Sequence, residues 1–334
     1  MNRKTLIPYR LISERREEIM GVAILWVVLF HSSVTIRLQP FAMLKSLGYG
    51  GVDLFLFLSG MGIWQSLSRH SVSTFFKNRL NRIVPTWWAY LLVWVGVGYW
   101  HTRLRVPFQQ LLGFAVFTGF WRGLPNQGNW YVYAVMLFYA LSPLLYGLIR
   151  EAKNKTAVGS ALLAFALLAA LSWRGAMSLN AVSRLPIFIV GMLFSATWQE
   201  RAVGKRALPA AAALLLGGSA LTVGLFLAFP LDRLTETGLY WYPFLLTAPP
   251  LCLFLALLFD RSARRAPWLN RALRRLGKAS LEILLATDYI FLWTADWIDH
   301  GRVSAALTVG AVFIGLVYHL VMERIKAAVK ARLS

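Results

Sequence analysis

The feature that most constrains this chain is a series of ten apolar stretches, each close to the length of a membrane span. They fall near residues 18–36, 49–68, 83–100, 130–149, 156–173, 182–199, 207–229, 240–259, 279–298 and 303–322. A helix needs roughly 20 mostly apolar residues to cross a bilayer, and only helices or closed barrels satisfy their backbone groups there. Composition agrees: 58% of residues are hydrophobic and 15% charged, against about 25% charged in a soluble domain. These values exclude a disordered chain, a disulfide scaffold and an ordinary soluble enzyme. The expected fold is all-α, a polytopic membrane helix bundle forming one membrane-embedded domain over residues 1–334.

An eleventh apolar piece, residues 108–121, spans only about 21 Å as a helix. The charge pattern decides whether it crosses. With the N-terminus in the cytosol and ten crossings, 26 of the 35 basic residues lie in the inner segments 1–17, 69–82, 150–155, 200–206, 260–278 and 323–334. An eleventh crossing would move every basic cluster after residue 150 outside, against the positive-inside rule. The expectation is therefore about ten spans plus one short re-entrant or interfacial helix. Both termini are cytoplasmic, with tails over 1–17 and 323–334. The first apolar run is span-length and has no small-residue cleavage site, so it reads as a membrane span, not as a cleaved leader. The formal charge of +21 then sets orientation and meets anionic lipid, and no nucleic-acid partner is expected. Trp100, Trp121, Trp130, Trp173, Trp198, Trp241 and Trp297 fall near span ends, where an aromatic belt would sit.

Ionisable groups inside spans are expensive and mark candidate sites. His31 lies about 20 Å along the first span. Asp53 sits near the start of the antiparallel second span, in GYGGVDLFLFLSG, at a similar depth. A carboxylate beside an imidazole supports a general base; the alternative is a pair that merely satisfies itself in a packed bundle. Arg79 and Arg82 share a helix face in TFFKNRLNRIVPTWW. They either clamp a phosphate or anchor the helix at the inner surface. Glu282 and Asp288, in LEILLATDYIFLW, either line a polar path or pair with an arginine such as Arg184. Arg184 opens RLPIFIVGMLF at an outer boundary, where snorkelling also accounts for it. Cys252, the single cysteine, reads as a small core residue. His70, His101, His300 and His319 lack ligand spacing, so no metal is expected.

The ordered set MGVAILWVVLFH (20–31), GYGGVDLFLFLSG (48–60), KNRLNRIVPTWW (77–88), NWYVYAVMLFYALSPLL (129–145), RLPIFIVGML (184–193) and LGKASLEILL (276–285) resembles the acyltransferase-3 family of bacterial integral-membrane O-acyltransferases. The resemblance implies a multi-pass protein of the cytoplasmic (inner) membrane that modifies a cell-envelope polysaccharide. It moves an acyl group, commonly acetyl, from cytosolic acyl-CoA to a hydroxyl of an extracytoplasmic glycan or related acceptor. It implies His31 as the catalytic base, Asp53 as its catalytic partner, and Arg79 and Arg82 at the CoA phosphates. Trp130 and Arg184 are candidate substrate-binding residues. No permanently bound cofactor is expected; acyl-CoA is the donor substrate.

Three positions depart from the pattern. Many relatives carry Arg or Lys eleven residues before the histidine, where this chain has Met20, with Arg15 and Arg16 one turn further in. Glutamates often precede the Phe-Tyr of the fourth motif, where Val135 and Met136 lie upstream of Phe138 and Tyr139. A histidine often follows the SLEILL-like run, where Thr287 stands. Because fold does not fix function, the alternative is a membrane carrier for a small metabolite or envelope intermediate.

Overall fold

The computed structural model describes residues 9–103, 105–124, 129–173, 176–204, 206–293 and 301–333. Arg174, Trp297 and His300 lie outside the described residues, as do the side chains of His101 and Arg302, residues 1–8 of the expected N-terminal tail, and the end of the 279–298 stretch.

Each apolar stretch contains a helix, and the described residues form a helical bundle without an extended strand. The first half comprises α1 (Leu11–Glu14), α2 (Arg16–His31), α3 (Gln39–Ser46), α4 (Gly50–Arg69), α5 (Val72–Thr102), α6 (Phe108–Ala115) and α7 (Trp130–Glu151). It continues with α8 (Lys155–Ser172), α9 (Ala176–Val182), α10 (Leu185–Thr197), α11 (Ala207–Ala228) and α12 (Leu231–Thr237). The last four are α13 (Phe244–Arg265), α14 (Pro267–Lys278), α15 (Ser280–Trp293) and α16 (Gly301–Leu333). Polar side chains set several starts by accepting from free first-turn N–H groups. Ser71 caps α5 through Thr74 N, Asn129 caps α7 through Tyr131 N, and Asn154 caps α8 through Ala157 N.

Among the described residues, six helices are long and apolar enough to cross a membrane, and a seventh if α3 and α4, bent by 50°, count as one span. The remaining stretches fall short for physical reasons. Helix α2 has 16 residues and stops at His31, five short of the expected end, where the Ser32 hydroxyl and amide turn back onto Leu29 and Val28. The apolar half of α5 is rich in Trp and Tyr, which hydropathy scales rate low. The 108–121 piece is an eight-residue helix docked on α5, where the indoles of Trp87 and Trp88 donate to the carbonyls of Phe114 and Ala115. The expected C-terminal tail is helical, because α16 runs without a break to Leu333.

Two helix pairs approach until only glycine fits between backbones, as membrane packing favours. In α4 and α10 the contact is reciprocal: a Cβ on Gly60 would lie 2.2 Å from the Phe188 carbonyl oxygen, and one on Gly191 would lie 2.1 Å from that of Phe57. Helices α2 and α14 meet likewise through Gly21 at Leu273 and Gly277 at Glu17. Around this core, α8, α11 and α16 turn large apolar side chains such as Phe165, Leu216, Leu227 and Phe313 outward. Lipid is the solvent that such faces require.

Candidate functional site

Three cavities lie in series through the bundle. The widest, about 720 Å³, is a vestibule walled by Arg16, Arg82, Arg274, Lys278, Glu282 and His319 among others. The next, about 60 Å³, is a constriction walled by Arg16, Met20, Arg79, Arg82, Tyr131, Tyr139 and Leu284. The third, about 360 Å³, holds His31, Tyr49, Asn129, Trp130, Arg184, Tyr240, Trp241 and Asp288. Arg16, Met20 and Arg82 are walls of both the vestibule and the constriction, and Tyr131 and Leu284 are walls of both the constriction and the His31 cavity. Helix α2 carries Arg16 at its first residue and His31 at its last, so the two ends of this path are separated by about 22 Å of helix rise.

Three guanidiniums gather at the constriction. Arg79 and Arg82 are brought together as their spacing predicts, and Arg16 joins them. Among the described residues none of the three has a carboxylate partner within ion-pair distance. Arg79 instead lies over the rings of Phe75 and Tyr139, at 5.7 and 5.6 Å. Guanidiniums gathered in this way have the chemistry to bind an anion. The neighbouring Arg15 is different: it binds Asp260 at 2.8 Å and Glu18 at 3.5 Å, tying α2 to α13. Arg16, noted in the sequence with Arg15 one turn before Met20 but not assigned to a site, is the member that motif reading does not select. The signal was its four-residue spacing from Met20, which puts both on one face of α2.

Asp53 and Arg184 come together at the His31 cavity. Arg184 Nε lies 3.3 Å from Asp53 Oδ1, both side chains almost fully buried. The expected partnership of Asp53 with His31 is not what the structure brings together: no hydrogen bond or ion pair joins them among the described residues. The reason is the glycine contact described above. Asp53 precedes Gly60, and Arg184 precedes Gly191, by about two helical turns, so the packing of α4 on α10 sets carboxylate against guanidinium. Arg184 also lies between two indoles, with Trp241 at 4.9 Å and Trp130 at 5.7 Å. Trp130 and Trp241 therefore serve the cavity rather than an outer belt. Trp100, Trp173 and Trp198 remain exposed at helix ends. Arg184 pairs with neither Glu282 nor Asp288: Glu282 Oε2 is 3.3 Å from His319 Nδ1 in the vestibule, and Asp288 accepts from Asn129. His31 is exposed at the cavity edge, its ring 5.0 Å from that of Phe30. Cys252 is fully buried in α13, away from all three cavities.

Apolar helices around a series of polar cavities, with a histidine at one end and, among the described residues, arginines without carboxylate partners at the other, define a multi-pass membrane protein with polar groups inside the bundle. The family model for the acyltransferase domain of the acyltransferase-3 type matches residues 21–322. The chain belongs to that family, and it is a membrane acyltransferase. No curated protein and no solved structure matches it.

Proposed function

We propose that the protein transfers an acyl group, most simply acetyl, from cytosolic acyl-CoA to a hydroxyl of an extracytoplasmic glycan or related acceptor. The observation that carries this reading is the run of cavities with shared walls, which links three arginines without carboxylate partners among the described residues to His31. The arginine end faces the cytosol and the His31 end the outside, in a ten-span arrangement of the inner membrane with both termini cytosolic. The bias of basic residues towards the inner segments supports that orientation.

In this reading the CoA phosphates dock at Arg16, Arg79 and Arg82, and the pantetheine arm passes Tyr131 and Leu284 to bring the thioester to His31. The His31 imidazole takes the proton of the acceptor hydroxyl, whose oxygen attacks the thioester carbonyl carbon. Negative charge gathers on the carbonyl oxygen, and Arg184, fixed by Asp53 and two indoles, steadies it. The C–S bond then breaks, the thiolate takes the proton back from His31, and an ester and free CoA leave. Asp53 thus acts through Arg184.

The test is release of free thiol from acetyl-CoA by purified protein, with and without hydroxyl acceptors. Thiol release that depends on acceptor and disappears in His31→Ala is expected. Solute flux into proteoliposomes without thiol release would favour the carrier reading instead.

A further inference from the structure

We propose that Asp288 aligns the acceptor: its free carboxylate oxygen receives a second hydroxyl beside the one that is acylated, so acceptors of this protein carry neighbouring hydroxyls. The inference rests on the acyl-transfer reading and adds to it a residue and a substrate class. Asp288, on α15, shares the 360 Å³ cavity with His31, on α2. It is the carboxylate among the walls of that cavity, since Asp53 lies behind Arg184.

Its environment is built to hold it and leave one oxygen over. Asn129 Nδ2 donates to Asp288 Oδ2 at 2.6 Å, while Asn129 Oδ1 accepts from Tyr131 N at 3.0 Å in capping α7. Both ends of the Asn129 amide are committed, so Asp288 is fixed in position. Among the described residues its other oxygen accepts no hydrogen bond, and no cation lies within ion-pair distance. Asp288 is half-buried in the cavity wall; a carboxylate partly withdrawn from water without such donors is costly, and an incoming ligand supplies them. Thr287 does not compete, because its buried hydroxyl turns back to the Ile283 carbonyl at 2.7 Å. A neutral donor fits better than an ammonium, because Arg184 already places a guanidinium in the same cavity.

Asp288→Asn is the informative variant, since its carbonyl still accepts from Asn129 and the tie between α7 and α15 survives. Acceptors would be methyl glycosides with vicinal hydroxyls, their mono-deoxy counterparts, and an amino-alcohol, each with acetyl-CoA. The wild-type protein should show a KM at least about tenfold lower for the diol than for the deoxy compound, the scale of one hydrogen bond to a charged group. Asp288→Asn should abolish that preference while leaving the KM for acetyl-CoA within about twofold, and Asp288→Glu should restore part of it. Equal use of diol and deoxy acceptors by the wild-type protein, or a preference unchanged in Asp288→Asn, overturns the inference and leaves acyl transfer standing. Preference for the amino-alcohol overturns the choice of hydroxyl. Absence of thiol release by the wild-type protein with every acceptor overturns the acyl-transfer reading itself.

Discussion

The carboxylate of Asp53 lies 3.3 Å from the guanidinium of Arg184, deep in the bundle, while Asp53 Oδ2 and Arg184 Nη1 have no hydrogen-bond partner among the described residues. Removing one member leaves the other as an uncompensated buried charge, which costs about 3–5 kcal/mol. Asp53→Asn and Arg184→Met should each lower the thermal midpoint of the purified protein markedly. The double variant Asp53→Leu/Arg184→Met should recover most of the stability, since well-packed apolar pairs replace buried ion pairs at little cost. It should recover none of the thiol release. Recovery of activity with stability would show that Arg184 has no part in the chemistry.

The three arginines at the constriction should act on donor binding. Each of Arg16→Gln, Arg79→Gln and Arg82→Gln removes one charge-assisted contact, so the KM for acyl-CoA should rise by roughly tenfold or more. Acceptor KM should stay unchanged. Because Arg82 is exposed while Arg16 and Arg79 are half-buried, salt should weaken the Arg82 contribution most. An acyl-CoA KM unaffected by Arg16→Gln would remove Arg16 from the site.

Much of this was legible in the sequence, and the reasons are local. Hydrophobic run length located a helix in each apolar stretch, because the bilayer imposes a length on each, but it left α14 and the polar half of α5 within segments expected at the inner face. The i, i+3 spacing joined Arg79 to Arg82, and the shortness of residues 108–121 foretold a helix too brief to cross. Partner choice was not legible. Equal depth made His31 and Asp53 neighbours on paper, but depth leaves the rotation of each helix open. The Gly60 and Gly191 contact sets that rotation and gives Asp53 to Arg184. The same limit hid Asn129 and Asp288, which lie far apart in sequence and meet only where the cap of α7 reaches α15.

The α4–α10 contact can be tested at the glycines themselves. Gly191→Ala would put a Cβ 2.1 Å from the Phe57 carbonyl oxygen, forcing the helices apart at a cost of about 1–3 kcal/mol. The pair Asp53–Arg184 shifts with them, so activity should fall as well as thermal stability. Gly96→Ala and Gly147→Ala are the controls, because a Cβ at either meets nothing within 4 Å. Both should be neutral or slightly stabilising. Equal behaviour of all three variants would mean that the backbones are not so close.

The constriction yields a prediction that separates donor docking from donor delivery. Tyr131 and Leu284 stand between the arginines and the His31 cavity, and the space on the arginine side is only about 60 Å³. Leu284→Trp adds bulk at that wall without touching a charged group. The CoA phosphates should still dock, so free CoA should bind with nearly unchanged affinity, while the thioester no longer reaches His31. The expected result is a loss of kcat of at least about a hundredfold, since misplacement of reacting groups by an ångström has that effect. His31→Ala should lose kcat to a similar degree through the missing base. Leu284→Ala distinguishes the two causes: by opening the passage it should keep kcat within a few fold of the wild-type value. Full turnover by Leu284→Trp would show that the acyl arm takes another route.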